Sequence, residues 1–260
     1  MASYVVTGAA RGIGLEFVTQ LNANWSNSVF AVVRNKATAN QLQNLPCKNI
    51  TIIEADITNS NALASAANEV SKITGGKLDY LINNAAVLNP PRLGLTEFPT
   101  PDALEKDLIQ HFTVNTIGTI HCINAFLPLL RNGSTKKVVA ISSGAADPKA
   151  TLRTGRSGAA AYAISKAALN MAVAKFVAQF KTEGFVFLAL SPGMVNTAPP
   201  TSEMQAKFEG MTNTMAQVAP GFKGRMTPQE SVKLQLEVIY KWAVEDTGAF
   251  VSHHGNKEWL

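Results

Sequence analysis

A chain of 260 residues, 46% hydrophobic and 16% charged, suits a globular protein with a substantial core, built as one large α/β domain or two small ones. The net charge is +5, but the Lys and Arg are scattered, the longest run is Lys136-Lys137, and no basic stripe interleaves with aromatics, which argues against nucleic acid as a partner. No apolar run approaches the ~18 residues of a membrane span, and Cys47 and Cys122 lack the spacing of a zinc site or a disulfide framework, so neither a membrane nor a metal is expected.

The first predicted strand, Tyr4-Val5-Val6, begins at Ser3 or Tyr4 and leaves no room for a signal peptide, so the expected location is the cytosol. A glycine-rich turn follows, then a helix from Gly12 to about Asn24. Strands are predicted at Val29–Val33 and Ile50–Ile53, a helix at about Asn59 to Ile73, and a strand at Leu78–Ile82. A long helix runs from about Pro101 to Leu130, then a strand at Lys137–Ile141 and an alanine-rich helix from Ala159 to about Lys181. Phe185–Leu190 is the sixth strand. A helix from Pro228 to Val244, opened by the capping-box pattern Thr227-Pro228-Gln229-Glu230, precedes a last strand at Ala249–Val251. Near-continuous apolar strands alternating with helices imply a mostly parallel seven-stranded sheet covered on both faces. With no linker and no repeat, residues 1–260 read as a single doubly wound Rossmann-type domain. Two irregular stretches, 87–100 and 196–224, follow strand C-termini, the edge where open α/β sheets bind ligands. The second, with Met204, Phe208, Met211, Met215 and Phe222, either covers an apolar substrate or simply packs a lid.

Thr7-Gly8-Ala9-Ala10-Arg11-Gly12-Ile13-Gly14 joins the first strand to the first helix. Glycines there let the backbone approach a pyrophosphate, and the helix N-terminus supplies N–H groups and positive potential. The spacing is G-x-x-x-G-x-G rather than G-x-G-x-x-G. The second strand ends in Val33-Arg34-Asn35, without the carboxylate that would hold a ribose 2′-hydroxyl. Arg34, with Arg11 nearby, can instead bind a 2′-phosphate, so the expected cofactor is NADP(H).

Tyr162 and Lys166 stand four apart on a helix and share one face. A free phenol, with a pKa of about 10, is a poor acid–base group near neutrality. A cation beside it favours the phenolate, which makes the pair a candidate proton donor and acceptor. Alone, Y-x-x-x-K occurs in many helices by chance.

Taken together and in this order, these residues resemble the short-chain dehydrogenase/reductase family over nearly the whole chain. Thr7 to Gly14 is similar to its T-G-x-x-x-G-x-G turn, and Asp56, followed by Ile57, to its adenine-binding acid. Asn83-Asn84-Ala85-Ala86 resembles N-N-A-G with Ala86 in place of the glycine. Asn115 falls where the family carries an active-site asparagine, and Ser142-Ser143 ends the fifth strand ahead of Tyr162 and Lys166. Pro192, Gly193, Val195 and Thr197 match the P-G-x-V-x-T segment beside the nicotinamide. Arg34 and the run Ala161 to Met171 are similar to the small NADPH-dependent carbonyl reductases of the sniffer and C-factor type and to fungal polyketide ketoreductases. Ser143 stands 19 positions before Tyr162, further than is usual. The extra residues, roughly 147–157, carry Lys149, Arg153 and Arg156 and form either a solvated loop or a contact to an anionic substrate group.

The resemblance implies reduction of a small carbonyl compound, with NADPH held by Gly8, Arg11, Gly12, Ile13, Gly14, Arg34, Asp56, Ile57, Asn84, Ala85 and the Pro192–Thr197 segment. Ser143 would stabilise the carbonyl oxygen and Tyr162 donate the proton. Lys166 would lower the phenol pKa and touch the cofactor ribose, and Asn115 would hold a water leading to solvent. Oxidation of an alcohol by the same residues, a non-catalytic NADP sensor and a Rossmann-fold methyltransferase are the competing readings. The last has no use for Y-x-x-x-K. The helix from Ala159 is apolar nearly all round and needs a second surface, so a homodimer or homotetramer is expected.

Overall fold

In the computed structural model the described residues are 2–46, 49–90, 92–197, 222 and 224–259. Among them seven strands lie parallel in one sheet: β1 (Ser3–Thr7), β2 (Ser28–Val33), β3 (Ile50–Glu54), β4 (Tyr80–Asn83), β5 (Lys137–Ile141), β6 (Val186–Ser191) and β7 (Phe250–Ser252). The order across the sheet is β3-β2-β1-β4-β5-β6-β7. The expected sheet was mostly parallel; every observed pairing is parallel. The order reverses between β1 and β4, which opens a crevice at their carboxyl ends.

The strands read as unbroken apolar runs because both faces are covered. On one face Val5, Phe30, Val32, Leu81, Val138 and Phe187 pack with Leu63 of α3 (Ser60–Thr74), Phe126 of α5 (Thr119–Asn132) and Leu169 and Phe176 of α7 (Ala160–Gln179). The alternate residues Tyr4, Val6, Val29, Ala31, Ile82 and Val139 pack on the other face with Phe17 of α1 (Gly12–Asn22) and Val232 and Ile239 of α8 (Pro228–Lys241). Lys137 is buried at the edge of this layer. Its Nζ donates to the carbonyls of Ile239 and Trp242, 2.7 Å each, where α8 leaves its last carbonyls without helical partners. The predicted capping box is present: Thr227 Oγ1 accepts from Glu230 N–H at 3.2 Å, and the Glu230 carboxylate accepts from Thr227 N–H at 2.8 Å.

The structure departs from the sequence reading in three places. A short helix α2 (Asn40–Gln43) lies between β2 and β3. The long helix is not uniform: α4 (Pro101–Phe112) passes into α5 through π-helical turns at Thr113–Gly118. Residues 147–157 are not merely a loop. They hold α6 (Pro148–Thr154), capped by Asp147, whose carboxylate accepts from Lys149 N–H at 2.9 Å. Most of the expected substrate cover at 196–224 lies outside the described residues, as do Met204, Phe208, Met211 and Met215.

The continuous helical run Pro101–Asn132 is long and apolar enough to cross a membrane by length and composition alone, contrary to the sequence expectation. Half of its apolar window is buried inside the protein, as a packed core helix requires.

Candidate active site

The β1–α1 turn is shaped by close backbone approaches. Gly8 and Gly12 adopt φ of +67° and +57°, the left-handed region that favours glycine. A Cβ at Gly8 would lie 2.7 Å from Ala85 Cα, and one at Gly14 would run into the Gly8 carbonyl and lie 2.5 Å from Asn84 Nδ2. Asn84 clasps the turn from β4: its Nδ2 donates to the carbonyls of Thr7 and Gly8 at 3.0 and 3.2 Å. Thr7 Oγ1 accepts in return from the N–H groups of Asn84 and Ala85, 3.1 Å each. Ile13 packs, partly buried, on the α1 side of the core. A turn with no room for side chains at Gly8 and Gly14, ending at a helix N-terminus, fits a pyrophosphate.

Around that turn, Arg11 and Arg34 are exposed at the mouth of the crevice. One acid does stand near the end of β2, though on β3. Glu54 pairs in register with Val33, and its carboxylate accepts from Lys36 N–H at 2.8 Å. Asp56 is half-buried and accepts from Thr58 N–H and Oγ1 at 2.9 and 2.8 Å. Ile57 is buried against Gly118, where a Cβ would come within 2.8 Å of its Cδ1. Beyond β6, the Pro192 carbonyl accepts from Ser231 Oγ at 2.7 Å, Val195 bridges to Met226, and Gly193 takes φ +77°. Thr197 faces the glycine turn: a Cβ at Gly12 would sit 3.3 Å from Thr197 Cβ.

Tyr162 and Lys166 do share a face of α7. Lys166 is 2% exposed and its Nζ lies 5.9 Å from the centroid of the Tyr162 ring. The electrostatics differ from the sequence expectation. Lys166 Nζ is anchored on the Ile141 carbonyl at 2.6 Å, and burial without a carboxylate pulls its pKa down to about 7. Tyr162 keeps some solvent contact while protein atoms crowd its phenol, and burial pushes its pKa up. A hydrogen bond with Ser143 and the charge of Arg92 pull the other way. Lys166 is not among the groups that lower it.

Ser143 and Ser142 are separated cleanly. Ser143 acts on the Tyr162 phenol and caps the turn Gly144–Ala146, its Oγ accepting from Ala145 N–H at 3.2 Å. Ser142 is buried and donates to Asn170 Oδ1 at 2.6 Å, facing away into α7. Asn115 sits in the π-helical turns and is fully buried. Its Oδ1 accepts from Val87 N–H at 2.8 Å, and its Nδ2 donates to the Val87 carbonyl and Ser165 Oγ at 3.0 Å each. The side chain is therefore a clasp between α4–α5, α7 and the loop after β4, with both amide hydrogens and one lone pair of Oδ1 engaged.

Two neighbours of Tyr162 escaped the sequence reading. His111 is 2% exposed, and its ring meets the Tyr162 ring edge-on at 6.4 Å between centroids. Its Nδ1 bonds the Asp107 carbonyl at 2.9 Å, and its Nε2 has no partner among the described residues. Its spacing four before Asn115 was the available signal, since both lie on one helix face. Arg92 lies in an irregular stretch that carries no periodicity.

The Lys166 shift has a testable consequence. A folded-state pKa of about 7 against about 10.5 unfolded means the unfolded chain binds more protons between those values. Wild-type stability therefore gains about 1.4 kcal/mol per pH unit from this group as pH rises through that window, and the penalty is full below it. Lys166→Met removes the titration. Its stability relative to wild type, read by denaturant titration of the cofactor-free protein, is expected to fall steadily from pH 7 to pH 10. A difference independent of pH would show that Lys166 is not desolvated as described.

Comparison with known proteins places this arrangement in context. The family model for short chain dehydrogenases matches residues 3–224. Short chain dehydrogenase virK of Hypocrea virens is 43% identical over 272 aligned positions, covering 100% of both chains. Short-chain dehydrogenase/reductase AacuF of Aspergillus aculeatus is 44% identical, again with 100% of both chains covered. Among solved structures, NADPH-bound carbonyl reductase from chicken fatty liver superposes with a TM-score of 0.79 at 30% identity, over 98% of each chain. Carbonyl reductase Sniffer of D. melanogaster shares the fold with a TM-score of 0.81 at 24% identity, also over 98% of each chain.

Proposed function

The chain belongs to the short-chain dehydrogenase family, and from that premise we propose that it is an NADPH-dependent reductase that converts a carbonyl compound to an alcohol with Tyr162 as proton donor. The observation that carries this reading is Tyr162 within reach of the Ser143 hydroxyl and 5.9 Å from the buried Lys166 ammonium, at the carboxyl edge of the sheet and next to a glycine turn crowded at Gly8 and Gly14. The NADPH-bound chicken carbonyl reductase, 30% identical, supports the same cofactor and chemistry.

The residues that would hold the cofactor are the Gly8–Gly14 turn at the pyrophosphate, Arg34 and Arg11 at a 2′-phosphate, Asp56 and Ile57 at the adenine, and Pro192 to Thr197 with Lys166 at the nicotinamide end. Bound there, NADPH supplies hydride to the carbonyl carbon. Ser143 donates a hydrogen bond to the carbonyl oxygen, where negative charge builds. Tyr162 gives that oxygen its proton, and the phenolate formed is stabilised by the positive charge of Arg92. Asn115 keeps α7 in place by bonding Ser165, three residues beyond Tyr162. Pairing of two chains through the α4–α5 and α7 faces belongs to the same reading. Ile109, Phe112, Ile164 and Met171 stand exposed there.

The test is oxidation of NADPH, followed at 340 nm, against a panel of ketones, aldehydes and quinones. NADPH is expected to bind more tightly than NADH, because Arg34 meets the 2′-phosphate. Arg34→Asp should reverse or abolish that preference. Equal dissociation constants for the two cofactors in the wild-type protein would sink the NADP reading.

A further inference from the structure

Three arginines from three separate loops meet over the carboxyl edge of the sheet beside Tyr162. Arg92 follows β4, Arg156 ends the segment inserted after β5, and Arg225 precedes the residue that bridges to Val195 after β6. Arg92 and Arg156 are both exposed, and the Arg92 backbone is fixed. The Arg92 carbonyl accepts from Ala159 N–H and the Leu93 carbonyl from Ala160 N–H, both at 3.0 Å. The loop is thus pinned to the first residues of α7, one turn from Tyr162. The approach is tight enough that a Cβ at Gly158 would lie 2.9 Å from the Arg92 carbonyl, and Ala159 is held at φ +56°. A non-glycine residue in the left-handed region is strained, and such strain persists where the surroundings require it. Arg156 stands two residues before Gly158, on the same pinned segment. Arg225 is half-buried, and its Nη1 lies 3.5 Å from Asn196 Oδ1.

The three charges act on one another. Crowding by protein atoms and then Arg92 disfavour the charged form of Arg156, although the residue is exposed, and burial and then both arginines disfavour that of half-buried Arg225. Arg92 also acts on the Tyr162 phenol. Among the described residues the side chains of Arg92 and Arg156 have no carboxylate partner. The acids closest to them in the chain are engaged elsewhere. Glu97 accepts from Gly94 N–H at 2.7 Å, and Asp147 accepts from Lys149 N–H at 2.9 Å and from Trp259 Nε1 at 2.8 Å. Backbone hydrogen bonds hold the Arg92 loop against the segment that follows Arg156, so two exposed like charges are kept on neighbouring segments beside Tyr162.

We propose that Arg92, Arg156 and Arg225 form a subsite for a carboxylate on the carbonyl substrate, so that the enzyme selects keto acids or aldehyde acids over their neutral counterparts. This rests on the carbonyl-reductase reading above and narrows it. It takes up the anionic substrate contact that the sequence left open for residues 147–157: the body of the molecule can be apolar, but one end is anionic. A guanidinium pair matches a carboxylate in geometry as well as charge.

The experiment compares 4-carboxybenzaldehyde with methyl 4-formylbenzoate as substrates with NADPH. The wild-type protein is expected to favour the acid by tenfold or more in kcat/KM. In the Arg92→Gln/Arg156→Gln double variant that ratio is expected to fall close to one. Any effect of Arg92 on Tyr162 acts on both substrates alike and cancels in the ratio. A wild-type ratio near one, or a ratio unchanged in the double variant, overturns the subsite. Titration of the NADPH-loaded protein with 4-methoxybenzoate and with 4-methoxybenzamide reads the same site without turnover. Tighter binding of the benzoate that is lost in the double variant supports it, and equal binding of the two overturns it. Failure of every carbonyl compound to oxidise NADPH would refute the reductase reading while leaving the titration to decide the anion site.

Discussion

Tyr162→Phe is expected to lower kcat for carbonyl reduction by about a thousandfold while leaving the NADPH dissociation constant within about threefold of wild type. The substitution deletes one hydroxyl and little else. The ring keeps its edge-on contact with His111 at 6.4 Å, and α7 keeps the Asn115–Ser165 bond that seats it. Ser143 loses its partner but remains on the turn that it caps. What disappears is the proton that must reach the developing alkoxide, and no other acid in the described site can replace it. The expected loss therefore falls on kcat, with no effect on cofactor binding. Ser143→Ala should cost about a hundredfold through the lost oxyanion contact. Ser142→Ala should act on stability instead, by about 1–3 kcal/mol, because its buried hydroxyl serves Asn170. Steady-state rates at 340 nm together with NADPH fluorescence titration check all three. More than a tenth of wild-type activity in Tyr162→Phe would place the proton donor elsewhere.

Gly14→Ala should be among the most damaging single-methyl changes in the described residues. Gly14 has an ordinary backbone conformation, so the cost is purely steric: the Gly8 carbonyl and Asn84 Nδ2 occupy the space of the new methyl group. Both belong to the clasp between Asn84 and the β1–α1 turn, and backbone there cannot move aside as a flexible side chain would. Overpacking of this kind costs about 3 kcal/mol, which for a domain of this size lowers Tm by about 6–12 °C. NADPH binding should be lost as well, since the turn must open to admit the methyl. Gly75→Ala is the control. Gly75 has φ +67° but nothing within 4 Å of a new Cβ, so only the left-handed strain applies, about 1 kcal/mol. Equal Tm losses for the two variants would show that steric crowding at the turn has been misjudged.

The amino-acid pattern alone determined the architecture and the parts list of the site. Unbroken apolar runs such as Val186–Leu190 identify strands buried on both faces, and their alternation with helices admits few topologies other than a parallel, doubly wound sheet. Glycine spacing after β1, the missing carboxylate at Arg34 and the four-residue step from Tyr162 to Lys166 are local features, encoded within one turn or one helix. They are legible because their meaning depends only on sequence separation.

What acts on those parts was decided by the tertiary structure. The hydroxyl that bonds Tyr162 comes from Ser143 at the end of β5, the charge from Arg92 after β4, and the ring beside it from His111 on α4. None of these distances follows from spacing along the chain. The ionisation of Lys166 is the clearest case. Four residues from Tyr162, the sequence reads it as a cation that lowers a phenol pKa. In the fold it is 2% exposed, bonded to the Ile141 carbonyl and close to losing its proton at neutral pH. A short helical step determines which side chains share a face. Burial and charges from distant segments determine their protonation, because desolvation and Coulomb forces depend on the surrounding volume, and that volume exists only once the chain has folded.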